Sequence, residues 1–497
     1  MRKSIYMVLL LALILGACDS DFEEMNVDPT KPAQVDIANK LTITQLYTSG
    51  SRYEVWRNML IYNATMIQHF ATVDDIWEGD KYMRNDGYAS SQIDRDYANA
   101  VKTIEDMLLQ VEQEEKPAEM EAIVRILRVF VFHRLTDLYG DIPYSEAGQA
   151  IISNNLAPKY DKQEDIYADM LNELEVSAAA LGSGTSGFGS ADIMFQGDQT
   201  KWKKFANSLM LRLALRISNV DPAGAEEWAK KAVKASNGGV MTSNEDIALI
   251  KMQTGPTEIN QSAFGQVFLV DDVSLSTTLV DALSGDPRLP ILGARASDES
   301  SAIADLKGFP CGIDLSMLAN LTGEEDENNY AHPNRMLVGL DAPTVLQSYA
   351  EVELLLAEAA LKGWVSGSVE QHYNAGVTAA MKMYEVLYGA AAAVADADVA
   401  TFLANNPYDA ASGMEQISTQ HWIATFFNEY ETYSNWRRTG YPVLTPVNYP
   451  GNATNGTIPR RMTYSTSEQS NNTANYNDAI ASQGADVMTT RIWWDVN

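Results

Sequence analysis

Apolar side chains return every three or four residues along segment after segment of this chain, and each run closes at glycine, asparagine or proline. Such a pattern is buried by helices packed against one another and not by a sheet. Pro117 suits a first helical position, and Ile123, Ile126, Leu127, Phe130, Val131 and Leu135 then share one face until Gly140. Asp161 and Glu164 form a capping-box-like pair ahead of Ile166, Met170, Leu171 and Leu174, before a Gly/Ser-rich break at 182–190. Trp202, Phe205, Leu209, Leu213 and Ile217 make a third stripe, and Asp221-Pro222 opens a fourth helix that ends at Asn237-Gly238-Gly239. Later, Pro343, Leu346, Tyr349, Leu354, Leu355 and Ala359 lead to Gly363-Trp364. Ser368 with Gln371 then opens a partner helix through Met383 and Leu387. One more helix is predicted from Ile417 to Trp436, followed by a polar, Asn-rich tail from Pro442.

The fold class that follows is mostly α. Helix pairs of roughly 34 residues build tetratricopeptide-like stacks. Here the strict consensus is missing, and the small residues Ala357-Glu358-Ala359-Ala360 would serve a plain helical hairpin equally well. Between the two helical blocks, about 240–342 holds scattered Gly, Pro, Asn and Asp with no sustained helical period, which predicts loops and short strands. An irregular insertion of that size is usually functional. At 497 residues and 46% hydrophobic the chain can bury a large core, and 36–497 is expected to form a single domain.

The first seventeen residues read as a secretory signal: Arg2-Lys3, an apolar run from Val8 to Leu15, then Gly16-Ala17 before Cys18. Small residues ahead of a cysteine are what a lipoprotein peptidase needs, so Cys18 is the expected lipidation site and the lipid the expected membrane attachment. Residues 18–35 then read as a tether, acidic through Asp19, Asp21, Glu23 and Glu24. The remaining cysteine, Cys311, has no intrachain partner once Cys18 is acylated. With 36 basic against 66 acidic residues the net charge is −30, or −32 without Arg2 and Lys3, so nucleic acid is an unfavourable partner.

Thr136-Asp137-Leu138-Tyr139-Gly140-Asp141-Ile142-Pro143-Tyr144-Ser145-Glu146-Ala147 resembles a motif of the SusD/RagB family of surface nutrient-binding lipoproteins. Further matches in family order are WKKFANSLMLRLALR (202–216), EVELLLAEAA (351–360), EYETYSNWRRTGYP (429–442), IPRRMTY (458–464) and RIWWD (491–495). The resemblance implies a tetratricopeptide-like helical scaffold with a loop-rich, ligand-binding lobe. It also implies an oligosaccharide or peptide ligand, and a partner: a SusC-like, TonB-dependent barrel that receives the cargo. The acidic tether resembles the signal that sends Bacteroidetes lipoproteins to the outer face of the outer membrane, and a merely solvated linker would read the same. The TDLYGDIPYSEA motif itself has a structural account, since Gly140 ends a helix, Pro143 forbids its continuation, and Arg134, Asp137 and Asp141 are spaced to pair across the corner. Trp436-Arg437-Arg438 and Trp493-Trp494 likewise read as core anchors.

Catalytic signatures are missing. His69, His133, His332, His372 and His421 show no HExxH spacing, and there is no GxSxG elbow, Walker loop or GxGxxG. Nothing in the sequence calls for a cofactor. Asp74 to Asp80 is the acidic cluster nearest to a calcium loop, but it lacks the alternation such a loop requires and reads as a solvated loop instead. No resident metal is expected.

Sugar recognition needs a flat aromatic face for the ring C–H side, with amides, carboxylates or guanidinium groups for the hydroxyls. Trp77, Asp80, Tyr82, Arg84 and Asn85 supply that mixture between helical segments, and Asn260, Gln261, Phe264 and Tyr330 form a second candidate group in the irregular region. The sequence therefore predicts a noncatalytic binding lipoprotein. A peptide-binding helical scaffold and, less well supported, a surface glycoside hydrolase are the alternatives.

Overall fold

Caps and stops written into the sequence set most of the helices. The computed structural model describes residues 35–271, 273–324 and 326–496. Cys18 and nearly all of the tether lie outside the described residues. Asp36 opens α1 (Ile37–Ser49), its carboxylate accepting from the Ala38 amide at 2.8 Å. A helical segment over 52–64, π-wound across Val55–Ala64, follows directly. After α2 (Lys102–Gln113) comes the 22-residue α3 (Ala118–Tyr139), which starts after Pro117 and stops at Gly140 as the sequence predicts. Gly140 has φ +83°, a conformation that favours glycine, and a Cβ there would have to displace the Gln483 side-chain amide.

Next in order are α4 (Gln163–Ala180), α5 (Gln199–Arg216) and α6 (Pro222–Ala232). Asp198 caps α5 by accepting from the amides of Thr200 (2.8 Å) and Lys201 (3.2 Å), and Asp221 caps α6 through Gly224 N–H. The second block holds α7 (Tyr349–Leu361), α8 (Val369–Tyr388), α9 (Gly413–Ala424) and α10 (Glu429–Thr439), with α11 (Thr473–Gln483) beyond. Chain neighbours pack against one another: α3 on α4, α4 on α5, α5 on α6, and α7 on α8. Contacts of α5 with α7, and of α7 with α9, join the two blocks into one stack. The fold is mostly helical, as the sequence predicts.

Among the described residues eight short strands occur: β1 (Phe70–Ala71), β2 (Ile142–Pro143), β3 (Tyr160–Asp161), β4 (Ala248–Ile250), β5 (Ser274–Leu275), β6 (Gly293–Arg295), β7 (Ala331–Pro333) and β8 (Thr344–Gln347). They form four antiparallel ladders, β1 with β5, β2 with β3, β4 with β8 and β6 with β7. In register, Phe70 faces Leu275, and Ile250 faces Thr344. Two of these ladders, β1 with β5 and β4 with β8, tie the irregular stretch of 240–342 to the rest of the chain, and the helices within that stretch are at most eight residues long.

Four local expectations are corrected. Asp161 does not cap α4: it lies in β3, where its carboxylate accepts from the Ser145 amide at 2.7 Å, and Lys162 takes the cap position without a side-chain bond. Pro343 and Leu346 are not helical, because 344–347 pairs with β4 and the helix begins only after Ser348, whose hydroxyl accepts from Glu351 N–H. The helix predicted over 417–436 is two helices, broken where Phe427 takes φ +68° and Phe426 turns into the core. α6 ends at Ala232, short of the expected Asn237, and a 3-10 turn covers Ala235–Asn237.

One apolar core runs through the stack from Ile37 to Trp494, with a satellite of Ala71, Val73, Phe309, Ile313, Leu318 and Tyr330 under the irregular lobe. Threaded through the main core is a network of buried charges. Arg212 makes a two-pronged pair with Glu351 (2.7 and 2.8 Å), Arg216 donates to Glu431 at 2.6 Å, and Arg438 grips Glu358 at 2.6 Å. Asp137 lies 3.3 Å from Arg216 and accepts from Tyr167 OH and from Trp494 Nε1 (2.9 Å). The pairing expected across the helix corner is therefore replaced: Arg134 donates to Thr48 O at 2.9 Å and Asp141 accepts from Gln163 N–H.

Candidate functional site

The segment Thr72 to Tyr88 folds inward. Gly79 rests on the π-wound helix so closely that a Cβ would lie 1.7 Å from Ile61 O, and this pressing turns Trp77 and Tyr82 into the core, each 1% exposed. Tyr82 OH accepts from Val447 N–H at 3.2 Å, and Asp80 accepts from Gly312 N–H at 2.8 Å with Lys81 Nζ 3.7 Å away. Burial pushes the Asp80 carboxyl up to about 6. Arg84 pairs with Asp86 and donates to Asp486 O, and Asn85 caps the turn Asp86–Ala89 through Tyr88 N–H. Trp77 and Tyr82 thus offer no open ring face, and Asp80 is committed to a loop 232 positions away. Asp74, Asp75 and Ile76 are exposed as expected of a solvated loop, but Asp80 is not.

The second group is split. Phe264 packs on Phe427 at 4.8 Å, whereas Tyr330 lies in the satellite core, edge-on to Phe309 at 4.7 Å and beneath Lys307. Asn260 accepts from Thr257 Oγ1, and Gln261 donates to Thr254 O while its own carbonyl accepts from Gln266. Their turn, however, forms the rim of a cleft of about 540 Å³, contributing Glu258, Ile259 and Gln266.

The other walls of that cleft come from α1, from 52–64 and from the short helix Ser91–Asp96. A capping box opens the middle wall: Glu54 accepts from the backbone and hydroxyl of Ser51. Tyr53, Trp56 and Arg57 then follow at helical spacing and project to one side, with Tyr47 of α1 beside them. The Arg57 guanidinium lies 3.9 Å from the Tyr53 ring centre and 4.7 Å from that of Trp56, and Arg95 approaches Tyr53 at 4.4 Å. Beneath them, burial holds Glu54 above the usual carboxylate range and pushes Asp96, which accepts from Gln92, up to about 7. A mixture of half-buried rings, guanidinium groups, a carboxylate and an amide at an open cleft can bind a polar ring compound. Sequence reading passed over it because no helix was assigned before Pro117. Three aromatics within ten residues, and Ser51 three positions ahead of Glu54, were the legible signals.

Among the described residues the one group able to hold a metal ion is Glu351, His421 and Glu431. Both carboxylates are already taken by Arg212 and Arg216, so a cation would have to displace two guanidinium groups. No described helix is long and apolar enough to cross a membrane.

A family model described as starch-binding and associating with the outer membrane matches residues 29–465. Among solved structures, a chitin-binding protein is 36% identical with a TM-score of 0.83, covering 93% of this chain and 100% of its own. A SusD-like protein of Bacteroidetes is 27% identical with a TM-score of 0.82 over 93% and 100% of the two chains. A chitin-binding SusD homologue from Flavobacterium johnsoniae is 26% identical with a TM-score of 0.78, covering 93% of this chain and 99% of its own. No curated protein matches significantly.

Proposed function

This chain belongs to the SusD-like family, associated with the outer membrane, and from that membership we propose that it is a noncatalytic receptor that captures oligosaccharide at the cell surface. The observation that carries the reading is the cleft beside Tyr47, Tyr53 and Trp56, where ring faces and hydrogen-bonding groups meet at an open mouth. Stacking supplies affinity for the C–H face of a sugar, and guanidinium, carboxylate and amide groups read its hydroxyls. Two of the similar structures are described as chitin-binding, which makes oligomers of N-acetylglucosamine the first ligands to test.

In this reading Cys18 carries the acyl anchor, 18–35 is the leash, and 36–497 works as one domain facing the cell exterior. Cargo passes to a SusC-like, TonB-dependent barrel. The lack of a membrane-crossing helix among the described residues is compatible with attachment through lipid.

Titration calorimetry of the soluble form starting after Cys18 tests the reading. Chitin and starch oligosaccharides are the ligands, with expected dissociation constants between micromolar and millimolar. Trp56→Ala and Tyr47→Ala should each weaken binding by about tenfold, the value of one stacking contact. Affinity in both variants equal to that of the parent would remove the cleft from the account, and silence with every glycan would remove the glycan. Labelled palmitate on Cys18 and co-purification of a barrel test the anchor and the partner.

A further inference from the structure

Acidic residues outnumber basic ones by 66 to 36, yet three arginines, Arg52, Arg57 and Arg95, converge on the same cleft. Among the described residues none of the three has a carboxylate within ion-pair distance. Elsewhere in the molecule guanidinium groups such as those of Arg84, Arg125, Arg128, Arg212, Arg288 and Arg460 are matched by carboxylates at 3 Å or less.

The carboxylates near the cleft do not cancel this charge. Glu54 is buried and spends its oxygens on Ser51, and Asp96 is buried against Gln92. Burial favours the neutral form of both. Asp94, exposed beside Arg95, accepts from Ser90 Oγ, which leaves Glu258 at the rim. The arginines are also prepared as receptors. Arg57 rests against Tyr53 and Trp56 with Tyr88 at 5.4 Å, and it donates to Tyr53 O at 3.2 Å. A guanidinium backed by rings keeps its remaining N–H edge in a set plane, which suits a carboxylate or sulfate better than a hydroxyl. The indole N–H of Trp56 is buried without an acceptor, which adds one more unpaired donor to this wall.

We propose that the cleft selects an acidic saccharide, whose carboxylate or sulfate is held by Arg57 and Arg95 while its ring lies along Trp56 and Tyr47. The inference rests on the glycan-receptor reading and narrows it to a charged class that the relatives' descriptions do not mention.

The test compares matched pairs by calorimetry: oligogalacturonate against its methyl ester, and a sulfated oligosaccharide against its unsulfated parent, with chitin oligosaccharides as a neutral reference. At low salt the acidic member of a pair should bind at least about tenfold tighter, and the preference should shrink as salt is added. Arg57→Gln and Arg95→Gln should abolish the preference, lowering the affinity for the acidic member far more than that for the neutral one, with the melting temperature little changed. A carboxylate preference without a sulfate one, or the reverse, supports the inference and names the group. Equal binding of charged and neutral partners, or a preference that survives both substitutions, overturns it. Binding of chitin oligosaccharides alone overturns it too and leaves the glycan-receptor reading intact, whereas no binding to any saccharide defeats that reading first.

Discussion

Asp80 shows how a single carboxyl answers to its surroundings. Its ordinary value near 3.8 rises to about 6 because the folded chain takes it out of water, with only Gly312 N–H and Lys81 in partial compensation. A raised value means that the native state binds the proton more tightly than the unfolded chain. The group therefore costs nothing below pH 4 and becomes destabilising as pH climbs from 4 through 6. Asp80→Asn should accordingly melt at the same temperature as the parent at pH 4 and higher at pH 7.5, by an amount worth about 3 kcal/mol. A variant that melts lower at pH 7.5 would show that the Lys81 contact outweighs burial. The residue type was legible in the sequence, as was the non-helical character around it. Its burial was not, because Ile61, Gly312 and Val447 create that burial from distant parts of the chain.

At the level of elements, the contact between the loop of residues 72–82 and the π-wound helix is set by Gly79. Adding a methyl group there drives it into the Ile61 carbonyl, a backbone atom that cannot swing aside, whereas Gly87 nearby has only Asn85 Oδ1 at 3.6 Å. Gly79→Ala should lower stability by about 2 kcal/mol or more and release Trp77 into a more polar environment, read as a red shift in fluorescence, with Gly87→Ala as a nearly neutral control. Helix starts written in local chemistry were readable beforehand: Asp221 and Ser368 each cap the helix they precede. Unreadable were the strand at 344–347 and the break at 425–428. The first exists because β4 supplies a ladder partner, and the second because two phenylalanines share the core with Phe70. Tertiary contacts override helical periodicity at both places. The cleft was missed because its rings are spread over three short pieces with no sustained apolar stripe: Tyr47 near the end of α1, Tyr53 in the turn 52–54 and Trp56 on the π-wound segment.

For the molecule as a whole, the buried ions tie together helices that apolar contact alone would let slide. Removing one partner strands a charge in a medium that cannot solvate it, so Arg216→Met should cost about 3–5 kcal/mol, measured by chemical denaturation. Arg216→Met combined with Glu431→Leu should recover part of that loss. A single variant as stable as the parent would mean that water reaches this network. The overall architecture was legible mainly through the long corner motif at 136–147 and the paired helical stripes, which survive as α3 to α6.

Trp494 places its indole on Asp137 from 357 positions downstream. Until that segment has been synthesised the seat stays empty and wet, and the ionic centre cannot dry. A protease that nips off Ile492–Asp495 would reopen a hydrated seam through the middle of the finished fold.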